Sequence, residues 1–334
     1  MSEHPFAGRR TRVLSQEDVR SLLSIDEATE VQRRAFLGIA RGETAAAPNS
    51  WLRLPGERRG WLKLLAGYDA TGHGLGVKVL ARFPENPPGA NLGSLLLLFD
   101  DANGFPLAVM DGVYITAART GAGAALAAEA LAPDATSVGL VGTGVVAWYS
   151  LLAMRRACPR IESMKVFSRS EQRRTELATR CASELGLQAS PVPTVDEAVA
   201  DVEIIVTATN SPEPVLFPHH LSPGVHLNAM GIRTEIAPET TAACLVIGDG
   251  REESIGDGKF SVAIAAGVVT ADHLGPELGA VLDSGFSATE GKPTMFDSSG
   301  VALQDVTCAR YVWERAEQED VGVLVDIVVG DVLS

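Results

Sequence analysis

Apolar residues recur along the chain with two different periods, and the change of period separates predicted helices from predicted strands. Near the N-terminus the apolar positions have helical spacing, which predicts two short helices at 15–23 and 24–42. From residue 51 onward, short apolar runs are broken by Pro, Gly and Asn. These runs predict strands at 51–54, 61–65, 75–83, 93–100 and 106–111, with a hairpin turn at 100–104. The pattern therefore predicts that this N-terminal block is a mostly antiparallel sheet packed on helices.

Beyond an Ala-rich helix predicted at 116–131, short buried strands alternate with helices. The strands are predicted at 137–141, 163–168, 202–207, 224–230 and 245–249, and the intervening helices include 145–157 and 171–185. Strands that alternate with helices in this way predict a doubly wound parallel sheet. We interpret 245–249 as the last clear strand. A long helix at 299–316 and an apolar tail at 321–333 are expected to return to the N-terminal block.

The predicted fold class is therefore α/β, with a Rossmann doubly wound parallel sheet and a discontinuous α+β domain. We place the α+β domain at residues 1–118 with 300–334 and the Rossmann domain at 119–299. The chain has 334 residues, enough for two domains of ordinary size.

The strand at 137–141 runs into a helix through Gly142-x-Gly144-x-x-Ala147. The first glycine of such a fingerprint allows a tight turn, the second lets the backbone approach a pyrophosphate, and the small third residue lets the helix pack closely. The helix N-terminus presents free N–H groups to the phosphates. The motif predicts that a dinucleotide binds at Gly142, Thr143, Gly144, Val145 and Val146.

The end of the next strand indicates which dinucleotide binds. NAD-selective folds place an acid there for the ribose 2′-hydroxyl, but this strand ends in Ser168-Arg169-Ser170, and the first acid is Glu171. A hydroxyl followed by Arg169, with Arg173 as a second cation, suits a 2′-phosphate. We therefore expect NADP(H) to be preferred, with NAD(H) possible. The alternative is that Arg169 is simply a solvated loop residue.

Composition narrows the range of partners and compartments. The formal net charge of −14 argues against nucleic acid and against an anionic membrane surface. The N-terminus lacks the apolar core of a signal peptide, and no apolar run is long enough to cross a membrane. The four cysteines are widely spaced, which indicates free thiols. We expect a cytoplasmic protein without a metal site.

Several collinear segments resemble the ornithine cyclodeaminase/mu-crystallin family. They are 75–79, 83–86, 106–112, 115–120, the glycine fingerprint, 206–209, 223–231, 256–257, 277–279 and 299–305. The resemblance implies a homodimer in which the discontinuous domain serves for substrate binding and dimerisation. It also implies chemistry on the α-carbon of a small amino or imino acid.

The resemblance assigns ligands of the substrate carboxylate to Arg53, Lys78 and Arg119. The residues support this, because Lys78 lies in an apolar strand and Arg119 in an Ala-rich helix, where a cation is costly unless paired. The alternative for each is an ion pair with an acid of the chain itself. Asp305 lies at the start of the last helix, which relatives place near the nicotinamide, and it is either a site residue or a cap.

One position departs from the family pattern. Cyclodeaminase-type members carry a catalytic Asp two residues after the Gly of an Asn-Ala-x-Gly motif, whereas here Arg233 follows Gly231. A guanidinium cannot act as a general base at physiological pH, so ornithine cyclisation is disfavoured. Arg233 could instead hold a second carboxylate, or it could be a surface loop residue. His73 could reach the site as an acid.

The function predicted from the sequence is that of an NAD(P)H-dependent imino-acid reductase or amino-acid dehydrogenase. Thr207, Ala208 and Thr209 are expected to close over the coenzyme, with Met230 and Gly231 beside it. Two alternatives remain. One is an ornithine cyclodeaminase-type ammonia-lyase that recycles its NAD internally, and the other is a non-catalytic, crystallin-like NADPH-binding protein.

Overall fold

The computed structural model describes residues 6, 8–55, 59–87, 90–286 and 291–327. In chain order its helices and strands are β1 (Thr11–Leu14), α1 (Gln16–Leu22), α2 (Ile25–Ala40), β2 (Thr44–Ala46), β3 (Ser50–Arg53), β4 (Trp61–Asp69), β5 (Gly74–Arg82), β6 (Leu92–Phe99), β7 (Pro106–Asp111), α3 (Val113–Leu131), β8 (Ser137–Val141), α4 (Val145–Ala157), β9 (Ser163–Phe167), α5 (Glu171–Leu185), β10 (Gln188–Val192), α6 (Val195–Val199), β11 (Ile204–Thr207), β12 (His226–Ala229), α7 (Pro238–Ala243), β13 (Leu245–Gly248), α8 (Arg251–Gly256), α9 (Lys259–Ala265), β14 (Leu274–Glu277), α10 (Leu278–Ser284), β15 (Thr294–Asp297), α11 (Ala302–Glu319) and β16 (Val323–Val325).

The described chain divides into two compact units. The first falls within residues 1–27, 41–116 and 301–334, and the second comprises 28–40 and 117–300. The chain therefore passes between the units close to the predicted boundaries, but residues 28–40, which the prediction placed with the N-terminal domain, cluster with the second unit. Residues 328–333 of the predicted apolar tail lie outside the described residues.

The first unit is built on an eight-stranded sheet in the order β16-β1-β7-β6-β5-β4-β2, with β3 also paired to β4. Strands β4 to β7 form an antiparallel meander, as the sequence predicts. The turn at 100–104 joins β6 to β7, and Gly104 supplies the positive φ of +78° that this turn requires. Helix α11 packs on one face of the sheet, against β4, β5, β6 and β7.

The second unit is built on an eight-stranded sheet in the order β10-β9-β8-β11-β12-β15-β13-β14, and every pairing is parallel. The order of its first five strands is that of a Rossmann domain, with the switch point between β8 and β11. The predicted doubly wound sheet is confirmed. The expectation that 245–249 is the last strand was wrong, because β14 follows it and β15 is inserted between β12 and β13. Strand β15 is short and buried on both sides, so it has no alternation that the sequence could reveal.

No helix in the described part of the chain is long and apolar enough to cross a membrane.

Candidate active site

Gly142 forms the turn between β8 and α4 at the switch point of the parallel sheet. Its φ is +118°, and an added Cβ would lie 2.4 Å from the carbonyl oxygen of Ala208. The neighbouring loop is held there because the Ala208 N–H donates to the Val141 carbonyl at 2.9 Å. Only glycine satisfies both the dihedral angle and this close approach.

The N-terminus of α4 fits a dinucleotide phosphate. Gly144 is its N-cap residue and makes no side-chain capping bond, so the first N–H groups of the helix have no side-chain acceptor at the cap. Gly144 and Val145 are exposed, and an added Cβ at Gly144 would meet no protein atom within 4 Å. A 13-residue helix with an uncapped N-terminus provides the donors and the dipole that a pyrophosphate needs.

The end of β9 presents hydroxyls and cations. Ser170 caps α5 by accepting from the Arg173 N–H, and the Ser168 carbonyl accepts from the Arg174 guanidinium at 3.1 Å. Arg169 and Arg173 are both exposed, and neither side chain has a carboxylate partner among the described residues. These two guanidinium groups are therefore accessible to an anion.

Glu235 is a residue that the sequence analysis missed. Its carboxylate is fully buried and accepts four hydrogen bonds of 2.7–2.8 Å, from the Thr207 hydroxyl, the Thr209 N–H and hydroxyl, and the Gly231 N–H. Burial raises its pKa, while the charge of Lys259 and these hydrogen bonds oppose the rise. Glu235 thus joins the loops that follow β11 and β12, both of which carry predicted coenzyme-binding residues. A lone Glu in a loop gives no sequence signal for this role.

Two further acids are buried where neighbouring strands of this sheet end. The Asp297 carboxylate accepts from the N–H groups of Lys259 and Phe260, both at 3.0 Å, at the start of α9. Burial raises the pKa of Asp297. Asp249 accepts from the Gly300 N–H at 2.6 Å and from the Ser299 hydroxyl. These contacts fix the backbone at the carboxyl ends of β13 and β15.

Lys78 and Asp305 form a buried ion pair in the first unit. The Lys78 Nζ lies 2.5 Å from the Asp305 Oδ2, and the two side chains are 1% and 0% exposed. Lys78 comes from the middle of β5 and Asp305 from the first turns of α11. At the start of α11 the backbone N–H of the N-cap residue Val301 donates to the Gln304 side-chain oxygen at 3.3 Å, so Gln304 and not Asp305 makes this capping contact. The structure therefore pairs Lys78 with an acid of the chain itself, which is the alternative that the sequence left open for this residue.

The same face of the sheet carries three more cations. Register places Arg53 of β3 opposite Trp61 of β4, and Trp61 opposite Arg82 of β5. Between β4 and β5 it also places Lys63 opposite Leu80 and Leu65 opposite Lys78. Because side chains alternate across a strand, all four cations point to one face. The sequence analysis missed Lys63 and Arg82. Arg53 is exposed and stands four positions along the ladder from Lys78, about 13 Å, so it is closer to Lys63 than to Lys78.

The remaining predicted substrate residues lie in different surroundings. Arg119 is buried in α3, and its guanidinium packs against Gly300, whose φ is +86°. Arg233 is exposed in the loop between β12 and α7. His73 lies in the turn before β5, with its Nδ1 2.9 Å from Asp101 and its side chain 64% exposed. Since β5 separates His73 from Lys78 by about 16 Å, the structure does not bring this histidine to the lysine.

Asp196, His219 and His220 are close enough to suggest a metal site, but their hydrogen bonds argue against it. The His220 Nδ1 accepts from the Phe217 N–H at 3.0 Å, so in the neutral ring the proton is on Nε2, which faces Asp196 at 3.3 Å. A metal at Nε2 would require the ring to lose its last proton. Only His219 and Asp196 are left as ligands in this cluster.

The chain is similar to proteins named as an amino-acid dehydrogenase and an imino-acid reductase. An alanine dehydrogenase of Archaeoglobus fulgidus is 33% identical over 93% of this chain and 97% of its own. An iminosuccinate reductase of Paracoccus denitrificans is 31% identical over 94% of this chain and 99% of its own. The solved structure of an archaeal alanine dehydrogenase dimer with bound NAD has a TM-score of 0.88 and 30% identity, covering 96% of this chain and 100% of that chain.

The family model of the ornithine cyclodeaminase/mu-crystallin family matches residues 9–320. With a Rossmann sheet, a fitted glycine turn and a match across nearly its whole length, the chain belongs to the ornithine cyclodeaminase/mu-crystallin family.

Proposed function

We propose that the protein is an NAD(P)H-dependent reductase of a small imino acid, or equivalently an amino-acid dehydrogenase. The observation that carries the proposal is Lys78, a fully buried lysine on a sheet face, held by Asp305 at 2.5 Å. An ammonium has three N–H donors, so a lysine that already pairs with Asp305 keeps donors for a substrate carboxylate. The relatives named dehydrogenase and reductase act on amino or imino acids, which supports the same chemistry here.

In the proposed reaction the imine carbon is reduced by a hydride, which the coenzyme would supply when held by the Gly142 turn and the N-terminus of α4. The C=N bond becomes C–N, and a protonated imine needs no further proton to give the neutral amine. Lys78 binds the substrate carboxylate, and Asp305 holds the Lys78 ammonium group in place. We propose Arg119 as a second ligand of this carboxylate. Because an iminium is already electrophilic, positioning supplies most of the catalysis, and no strong base is needed. Reduction therefore does not need an acidic residue at the position of Arg233.

The residues of the second unit support the coenzyme assignment. The Gly142 turn and the N-terminus of α4 would hold the pyrophosphate, and Glu235 would fix the loops of Thr207–Thr209 and Met230–Gly231 beside it. For the 2′-phosphate of NADP(H) we propose Ser168, Arg169, Ser170 and Arg173.

Titration with both coenzymes tests this preference. We expect NADPH to bind at least about tenfold more tightly than NADH, since one charge-assisted contact is worth about that much. Arg169→Ala should reduce the difference, and the exposed Lys292→Ala serves as the control. Tighter binding of NADH would contradict the assignment.

We also propose a homodimer that forms through the sheet face opposite α11. This face is apolar across five strands and leaves large side chains exposed, including Leu52, Leu64 and Leu95 at 59%, 38% and 53%. Register places Val13 and Val323 on the same face. An exposed apolar face of this extent is typical of an interface. Sedimentation should show a dimer that Leu95→Asp dissociates, whereas a monomeric wild-type protein would contradict the proposal.

Coenzyme oxidation at 340 nm separates the reductase from the alternatives. The substrates are 2-oxo acids with ammonium or methylamine, and cyclic imines. Turnover supports a reductase. Ammonia release from ornithine without net coenzyme change would instead indicate a cyclodeaminase-type lyase, and tight coenzyme binding without turnover would indicate a crystallin-like binding protein. We place the protein in the cytoplasm, where its four buried cysteines would stay reduced.

A further inference from the structure

Residues 298–300, the irregular segment that follows β15, lie beside the side chain of Arg119. An added Cβ at Gly300 would lie 3.3 Å from Nη2 and 3.7 Å from Nη1 of Arg119, so the guanidinium borders the backbone at this glycine. The φ of Gly300 is +86°, a value that residues with a side chain rarely adopt. The position of this backbone therefore limits where the Arg119 guanidinium can lie.

Asp249 holds Gly300 in this position. Its fully buried carboxylate lies just after β13, where Oδ2 accepts from the Gly300 N–H at 2.6 Å and Oδ1 accepts from the Ser299 hydroxyl. In the part of the chain that the structure describes, these two adjacent residues are the only hydrogen-bond partners of the carboxylate. Because a buried carboxylate is costly unless it is hydrogen-bonded, Asp249 and the segment fix each other.

A second buried charge holds the first residue of the same segment. The Lys259 ammonium donates to the Ser298 carbonyl at 2.8 Å, and the lysine side chain is 2% exposed. The Ser298 N–H donates to the Ala229 carbonyl at the end of β12, at 3.3 Å. Irregular segments usually lie on the surface, where water satisfies their backbone groups. This one is instead tied to the ends of several elements of the second unit, which gives it a defined position.

Arginine needs such support if it is to bind a carboxylate well. Its long side chain has many rotamers, and its planar fork makes two parallel hydrogen bonds to a carboxylate only when the two planes are aligned. A misplacement of about 1 Å in a substrate-binding group can lower the rate about 100-fold. Arg119 is 6% exposed, so the backbone of Gly300 borders it inside the protein and not in solvent.

We propose that Asp249 is a positioning residue for the substrate. It holds Gly300 against Arg119 and thereby sets the plane of the guanidinium that binds the substrate carboxylate. This inference rests on the proposed function, in which Arg119 is a ligand of that carboxylate. It adds a residue that acts through Gly300 and Arg119, at the end of a strand whose sequence gives no sign of such a role.

Substitutions of Asp249 test the proposal by steady-state kinetics. Asp249→Ala should raise KM for the imine at least about tenfold, while kcat changes less than about threefold and the coenzyme Kd stays the same. Asp249→Asn should keep KM within about threefold of wild type. Its amide oxygen can still accept from the Gly300 N–H, and the Ser299 hydroxyl can turn to accept from the amide nitrogen.

Ser254→Ala is the matched control. The Ser254 hydroxyl is also buried in the second unit, near Gly248 at the end of β13, but it has no hydrogen-bond partner among the described residues. Its loss should leave KM, kcat and the coenzyme Kd unchanged. Should Asp249→Ala not fold, Ser299→Ala takes its place, because it removes one of the two contacts of the carboxylate, and its KM should rise about threefold.

A double-substitution cycle asks whether Asp249 acts through Arg119. Arg119→Met should raise KM at least as much as Asp249→Ala does. Adding Asp249→Ala to Arg119→Met should then change KM by less than about twofold, because the group that Asp249 positions is already absent. If the two increases instead multiply, Asp249 acts by another route and the inference is overturned.

Crystal structures of the same variants give a readout that does not depend on turnover. We expect one Arg119 conformer against Gly300 in wild type and in Asp249→Asn, and a displaced or divided guanidinium in Asp249→Ala. If no imine is reduced but Arg119 moves only in Asp249→Ala, the reductase function fails and the positioning role stands. An unmoved Arg119 in Asp249→Ala, or equal rises in KM for the Ala and Asn variants, would overturn the inference.

Discussion

Removing one charge of the buried Lys78–Asp305 pair should destabilise the first unit more than removing both. The two side chains are 1% and 0% exposed, so each single substitution leaves its partner's charge in the interior. Loss of one member of such a pair typically costs about 3–5 kcal/mol. We expect Lys78→Met and Asp305→Asn each to lower the free energy of unfolding by that amount. The double variant should lie within about 2 kcal/mol of wild type.

Urea-induced unfolding followed by tryptophan fluorescence measures this cycle. Trp51, Trp61 and Trp313 belong to the same unit as the pair, so their signal reports its unfolding. The expected coupling free energy between the two substitutions is about 4 kcal/mol or more, the sum of the two single losses minus the loss in the double variant. If the double variant loses the sum of the single losses within about 0.5 kcal/mol, the two charges do not stabilise each other and the reasoning is refuted.

The same double variant separates folding from substrate binding. It should be folded and should bind coenzyme with wild-type affinity, but its kcat/KM for the imine should fall by at least about 100-fold, because the proposed ligand of the substrate carboxylate is gone. Wild-type turnover in a stable double variant would remove Lys78 from the site and leave it a purely structural role.

Three further predictions concern the second unit. Gly142→Ala should weaken coenzyme binding more than tenfold, because its Cβ would lie 2.4 Å from the Ala208 oxygen. Gly256→Ala, which meets no atom within 4 Å, is the control in the same fluorescence titration. Glu235→Gln should raise the coenzyme Kd several-fold, since an amide nitrogen would face N–H donors, and unchanged binding would exclude its positioning role. Burial lowers the pKa of His226 from 6.5 to about 4. The contribution of the neutral, buried His226 to the free energy of unfolding is thus complete above pH 6.5 and is lost as pH falls toward 4. It amounts to about 3 kcal/mol, which His226→Gln should remove from the pH dependence of urea unfolding.

Much of the fold was predictable because its elements follow from short-range patterns in the sequence. The glycine fingerprint, the strand–helix alternation after it and the antiparallel block before it each lie within a short stretch of sequence. Strand β15 was not predictable in this way. It has four residues, all buried, and its place between β12 and β13 depends on pairing with strands remote in sequence.

The candidate site likewise contains residues that the sequence predicted and residues that only the structure revealed. Residue type and an apolar context singled out Lys78 and Arg119, and the capping pattern left the role of Asp305 open until the structure paired it with Lys78. Glu235 was not foreseeable, because its four donors come from two loops up to 28 residues away.

By itself the sequence determined the glycine turn after β8 and the family, and it predicted a carboxylate ligand, because these depend on residue type at short spacing. Only the tertiary structure decided which cations share a surface. Lys63 and Arg82 look like ordinary strand residues in the chain. The antiparallel register of β3, β4 and β5, in which paired residues are 5–21 positions apart in the chain, places them on one face with Lys78.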